Sequence, residues 1–193
     1  MSYGFYYNMQ RCIGCGACQI ACKDKFDIQQ AGPRPRRVDT FESGSFPSAC
    51  TFSTSLGCNH CERPACVAAC PTGAMFKDDD GLVLHDDEAC IGCQSCVAAC
   101  PYGAPQHLEE RGIVIKCDAC RVLREAGGGN PVCVDACAMR ALDFGDVDEL
   151  RAKYGEGLVS ECVAMEDAET TEPNILIKPR PAALADACRQ VFL

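Results

Sequence analysis

The chain alternates short apolar runs with tight clusters of cysteine, and its pattern contains no long amphipathic helix. YGFYYN at 3–8 is rich in aromatic β-formers and predicts a strand leading into Cys12. Leu82-Val83-Leu84 and Ile113-Val114-Ile115 predict two short apolar strands, and ILIKPRP at 175–181 predicts a strand ended by proline. CQIAC at 18–22 opens a short helix; CVAAC at 66–70 and 96–100 and CVDAC at 133–137 repeat one helical turn. DVDELRAKYG at 146–155 predicts a capped helix, with Asp146 as N-cap, Glu149 three residues on and Gly155 as its stop. The last stretch, ALADACRQVF, reads as a terminal helix laid on the body or on a partner. Residues 29–57 are rich in Pro, Gly and Ser and read as a surface excursion with one strand, Cys50 to Ser55. Its basic knot, Arg34, Arg36 and Arg37, is either a solvated loop or a docking contact for an acidic partner.

The middle of the chain is an internal repeat of about 30 residues. CVAACP occurs at 66–71 and 96–101, followed by Thr72-Gly73-Ala74 and Tyr102-Gly103-Ala104. A charged turn comes next, Asp78-Asp79-Asp80-Gly81 or Glu109-Glu110-Arg111-Gly112, then the short apolar strand that leads to the next cysteines.

Composition changes the picture at one point: 19 of the 193 residues are cysteine, with no Trp. The count is odd and the cysteines recur in tight C-x2-C groups, which suits metal centres better than a disulfide framework. Sixteen fall into four quartets: Cys12/15/18/22, Cys58/61/66/70, Cys90/93/96/100 and Cys117/120/133/137. A C-x2-C-x2-C loop wraps three thiolates around one cubane cluster, and the fourth cysteine ligates the other cluster of a pair. The expected sets are therefore crossed. Cys12, Cys15, Cys18 and Cys137 hold one cluster, and Cys90, Cys93, Cys96 and Cys70 a second. Cys58, Cys61, Cys66 and Cys100 hold a third, and Cys22, Cys117, Cys120 and Cys133 a fourth. Zinc is the competing occupant for isolated C-x2-C pairs such as 58/61 and 117/120, but repeated triplets with a helical fourth ligand are not a zinc pattern. Proline follows Cys70 and Cys100 but not Cys22 or Cys137, and AGGGNP stretches the last quartet.

Glycines 14 and 16 let the backbone turn around a cluster and aim amides at sulfur. His60 lies between two ligands and either tunes the adjacent cluster or packs the loop; His85 and His107 have no partner pattern. Lys23 and Lys116 each neighbour a ligand, with solvation the expected state of both. Cys50, Cys162 and Cys188 stand outside the scheme and carry no assigned role. No nucleophile or acid–base constellation and no phosphate-binding loop is visible. The formal charge of −9 argues against nucleic acid. MSYGFYYNMQRC lacks the features of a secretory signal, and no run of about 18 apolar residues exists to span a membrane.

Through these motifs the chain resembles the four-cluster iron–sulfur (beta) subunits of the molybdopterin oxidoreductase, or dimethyl sulfoxide reductase, family. The resemblance rests on YGF at 3–5, CKD at 22–24, CNHCERPAC, GLVLHDDEACIGC, CPYGAPQ, KCDAC, ALDFGDVDEL and PNILIKP, and covers most of residues 1–180. It implies an α+β fold of tandem bacterial-ferredoxin-like modules, each with short strands and helices around two [4Fe–4S] clusters. Residues 1–28 with 112–145 would form the outer module, 58–111 the central module, 29–57 an inserted loop and 146–193 a C-terminal helix and tail. It also implies a non-catalytic relay to or from a large subunit carrying a bis-molybdopterin guanine dinucleotide cofactor, often supplied by a quinol-oxidising membrane subunit. In related nitrate reductase subunits a Trp replaces one third-quartet cysteine and the cluster loses an iron; Cys93 stands at that position, so four full cubanes are expected. The family's terminal substrates include sulfoxides, amine oxides, polysulfide, catechols and other aromatics, and the large subunit selects among them. Attachment to a membrane would come through partners, with export on a twin-arginine signal of the catalytic subunit; otherwise the chain is cytoplasmic. The alternatives are a free-standing polyferredoxin and a cluster-assembling sensor, the latter needing an effector segment that the sequence does not display.

Overall fold

The strand β1 (Tyr3–Asn8) is the centre of a three-stranded sheet and carries different chemistry on its two faces. The computed structural model describes residues 2–127, 129–185 and 187–191. Phe5 and Tyr7 point into the cysteine-lined core, whereas Tyr6 packs with Leu150 and Leu176 on the opposite face. This alternation is the two-residue period of a strand covered on both sides.

After β1 come helix α1 (Ala17–Lys25), strands β2 (Arg37–Ser43) and β3 (Cys50–Leu56), and helix α2 (Ala65–Ala68). The repeat follows as β4 (Met75–Lys77), β5 (Val83–His85), α3 (Ser95–Ala99), β6 (Gln106–Leu108) and β7 (Ile113–Ile115). Then come α4 (Arg121–Glu125), α5 (Val132–Asp135), β8 (Leu142–Asp146), α6 (Val147–Tyr154), β9 (Ile175–Lys178) and β10 (Arg189–Val191). In the first sheet β8 pairs antiparallel and β9 parallel to β1, with Phe5 opposite both Phe144 and Ile175. Each half of the repeat closes a two-stranded ribbon, β4–β5 or β6–β7. The cysteine-bearing helices pack in pairs, α1 on α5 and α2 on α3, so the first quartet meets the last and the two central quartets meet each other.

Two expectations need correction. Residues 29–57 hold a full antiparallel hairpin, β2 against β3 from Arg37↔Leu56 to Ser43↔Cys50, not one strand on a surface excursion. The Phe41 and Phe52 rings stack across it at 5.5 Å. The stretch ALADACRQVF, of which Asp186 and Phe192 lie outside the described residues, forms no helix of the expected kind. It starts in a 3-10 turn, Pro181–Leu184, and β10 pairs with β2. The hairpin leaves the outer edge of β2 open, and pairing that edge outweighs the local helical preference. The capped helix is found as expected: the Asp146 side chain accepts from the Asp148 and Glu149 amides, and Gly155 closes α6. None of the described helices is long and apolar enough to cross a membrane.

Candidate functional site

The four C-x2-C turns share one backbone device. The residue two positions after the first cysteine takes a left-handed conformation in each: Gly14 (φ 70°), His60 (44°), Gly92 (67°) and Ala119 (53°). That conformation folds the amide back onto the preceding sulfur. The Gly14, His60 and Ala119 amides donate to Cys12, Cys58 and Cys117 Sγ at 3.4, 3.5 and 3.4 Å. Past the helices, the Met75 and Ala141 amides donate to Cys70 and Cys137 Sγ at 3.4 and 3.2 Å. Sequence reasoning found the glycine of the first turn and missed His60 and Ala119; aligning the C-x2-C turns on one another is the signal that exposes them.

Two of the crossed sets each line a common space. Cys58, Cys61, Cys66 and Cys100 line one, together with Val83 and Tyr102. Cys12, Cys15, Cys18 and Cys137 line another, beside Tyr7 and Leu142. Cys22 faces Cys117, Cys133 and Cys120, and Cys96 faces Cys70 and Cys90, with Cys93 close to Cys70. All 19 cysteines are unbridged. Among the described residues no three Cys, His, Asp or Glu side chains converge tightly enough for a single metal ion. Spaces lined by four thiols that do not close on a single ion suit a polynuclear iron–sulfur centre better than zinc. The larger surface depressions, such as that lined by Glu62, Arg63, Arg151 and Glu172, are not built from the quartets.

Burial separates the sites. It pushes the Cys66 thiol up to about 12, with Cys58 adding to the rise, and the Cys61 and Cys120 thiols to about 11. Cys22, Cys117 and Cys133 are raised by burial as well. In the metal-free chain these groups are protonated thiols at neutral pH, so loading metal releases protons. The exposed Cys93 thiol is instead lowered, by hydrogen bonding with Ser95.

Three basic side chains expected in solvent or left open lie in the interior. Arg36 is 1% exposed, which overturns both the solvated and the docking readings of the basic knot at that position. Its neighbours are tied down: Arg37 donates to the Tyr102 and Gly103 carbonyls and Arg34 to Gln19. Lys116 is 3% exposed and donates to the Val83 and Cys117 carbonyls, correcting its expected solvation. His60 is fully buried; Nδ1 accepts from the Val83 amide at 3.1 Å, which leaves the proton on Nε2. Burial, then the charge of Lys116, holds the His60 imidazole well below its usual range and therefore neutral. Lys23 is half-buried and donates to the Gln30 carbonyl at 2.7 Å. Of the unassigned cysteines, Cys50 is exposed on the hairpin and Cys162 is buried.

A body of short strands and helices built around thiol-lined spaces of this kind is a ferredoxin-like iron–sulfur protein. Residues 49–147 match the family model described as "4Fe-4S dicluster domain", and residues 9–25 match "4Fe-4S binding domain". The B subunit of anaerobic dimethyl sulfoxide reductase from Escherichia coli (strain K12) is 44% identical over 92% of this chain and 88% of its own. The protein of the same name from Haemophilus influenzae is 42% identical over 99% and 96%. Thiosulfate reductase electron transfer subunit PhsB of Salmonella typhi is 38% identical over 76% and 77%. The chain belongs to the family of anaerobic dimethyl sulfoxide reductase B subunits, the iron–sulfur electron-transfer subunits of reductase complexes. Its role is electron transfer rather than catalysis.

Proposed function

We propose that the chain holds four [4Fe–4S] clusters and relays electrons to or from a molybdopterin catalytic subunit carrying bis-molybdopterin guanine dinucleotide. The ligand sets are Cys12/15/18/137, Cys70/90/93/96, Cys58/61/66/100 and Cys22/117/120/133. Residues 1–28 with 112–145 act as the outer two-cluster module and 58–111 as the central one. The convergence of Cys58, Cys61, Cys66 and Cys100, drawn from two quartets, carries this reading. Bound there, each cluster supplies one-electron redox chemistry; the protein supplies thiolates, amide hydrogen bonds and burial, which set the potential.

The relay's ends need docked partners. Ile13 and Ile91 each follow a ligand cysteine directly and are 65% and 67% exposed. Apolar side chains presented beside two different ligand sets favour a subunit over a free-standing polyferredoxin. A quinol-oxidising membrane subunit is proposed for one side and the catalytic subunit for the other, with membrane association through them. The catalytic subunit selects the terminal acceptor: a sulfoxide, an amine oxide or a catechol or other aromatic.

The test is an anaerobic pull-down from the native host through a tag on this chain, with elemental analysis. About 16 iron and 16 sulfide per chain, with molybdenum or tungsten in stoichiometric amount, is the expected result. About eight iron with bound zinc would overturn the four-cluster reading. Full iron without molybdenum or tungsten would overturn the partner.

A further inference from the structure

Arg36 is the largest fully buried side chain among the described residues, and nothing in the electron-transfer reading accounts for it. Its Nη1 donates to the Ser55 carbonyl at 2.8 Å and to Ser55 Oγ at 3.3 Å. Ser55 Oγ in turn lies 3.3 Å from the Cys18 thiol. The guanidinium carbon sits 4.5 Å from the centre of the Phe5 ring. Among the described residues Nε has no hydrogen-bond partner. Among the described residues no carboxylate comes within ion-pair distance of Arg36. An arginine cannot shed its proton to escape burial, so a compensating negative charge has to face it.

Through Ser55 the guanidinium reaches the Cys18 thiol. Cys18 belongs to one proposed ligand set, and Cys22, one turn further along the same helix, to the adjacent one. Taking up an electron adds a negative charge to a cluster, and a fixed cation in a low-dielectric interior favours the reduced form. We propose that Arg36 is a positioning charge that raises the reduction potential of the cluster held by Cys12, Cys15, Cys18 and Cys137, and more weakly that of the adjacent cluster held by Cys22, Cys117, Cys120 and Cys133. One electron enters from the reductant; no bond or proton changes at Arg36. This inference rests on the ligand sets proposed above.

The experiment is a dithionite titration of the anaerobically purified complex, read by low-temperature EPR, for the wild type, R36M and R36K. The wild type must first show four cubane signals, and their absence would overturn the ligand sets and this inference together. With four signals present, R36M is expected to lower one midpoint by at least tenfold in the reduction equilibrium, about 59 mV for a one-electron couple. A second midpoint should fall by less, and the other two should hold. R36K, which keeps the charge, should recover most of the shift. Four unchanged midpoints in R36M, or a shift equally large in R36K, would overturn the role of the charge. If R36M fails to take up iron, loading becomes the readout: full loading of R36K supports a charge requirement, and equal failure of R36K assigns Arg36 to packing alone.

Discussion

Three left-handed residues show how far a single position is legible. Gly92 sits at φ 67°, and a Cβ there would lie 2.3 Å from the Gly112 carbonyl oxygen. Gly92→Ala therefore meets both a conformational penalty of about 1–2 kcal/mol and a backbone clash that moves the Cys90–Cys93 turn. The expected outcome is loss or broadening of one cluster's EPR signal with the other three retained; four native signals would show that the turn tolerates the shift. The glycine could be read from the sequence because only glycine enters this conformation freely. His60 and Ala119 adopt it under constraint from the amide–sulfur bond, and no residue preference announces that. Arg36 was similarly opaque: in the sequence it is one of three arginines in a Pro-rich stretch, and its burial depends on Ser55 and Phe5.

Elements were legible where their signal was local. The helix α6 is specified by its own ends, with Asp146 Oδ1 accepting from Asp148 N at 2.9 Å and Glu149 N at 3.2 Å. Asp146→Ala should lower the unfolding free energy of the cluster-loaded protein by about 1 kcal/mol, measured by denaturant titration, while Asp146→Ser stays near the wild type. An Ala variant as stable as the wild type would mean that α6 is held by the packing of Leu150 on Tyr6 and Leu176 alone. The hairpin β2–β3 and strand β10 were misread for the opposite reason. Cys50 to Ser55 reads as a strand, but its partner β2 follows a Pro-, Gly- and Arg-rich stretch and is only half-buried along most of its length, so it carries no strand signal of its own. Strand preference depends on which face and which neighbour a residue meets, and β10 meets its neighbour only after more than a hundred intervening residues have folded.

At the scale of the molecule, the chain closes on itself around its cysteines. The first strand pairs with β8 and β9, and the α1–α5 contact brings Cys22 against Cys117 and Cys133. Clusters bound there would cross-link segments far apart in sequence, so their removal should unfold the chain. Oxidative or chelator treatment of the loaded protein is expected to abolish its near-ultraviolet circular dichroism and most of its secondary-structure signal together. Retention of native far-ultraviolet ellipticity in iron-free chain would show that the two three-stranded sheets stand without the clusters. The buried thiols add a direction: with Cys66 pushed to about 12 and Cys61 and Cys120 to about 11, thiolate is scarce at pH 7. Reassembly with iron and sulfide should run faster at about pH 8.5 than at pH 7, because metal takes the deprotonated thiol; equal rates would mean that proton release does not limit loading.

The sequence by itself determined the four cysteine quartets and the type of most short elements, because C-x2-C turns, helix caps and an internal repeat act over a few residues. It also determined the family, whose motifs run along most of the chain. Only the tertiary structure decided that Arg36 and Lys116 are interior charges, that 29–57 is a hairpin and that the tail ends as a strand. Burial and edge pairing are properties of what distant segments bring to a position, and a local pattern of polar and apolar residues does not encode them.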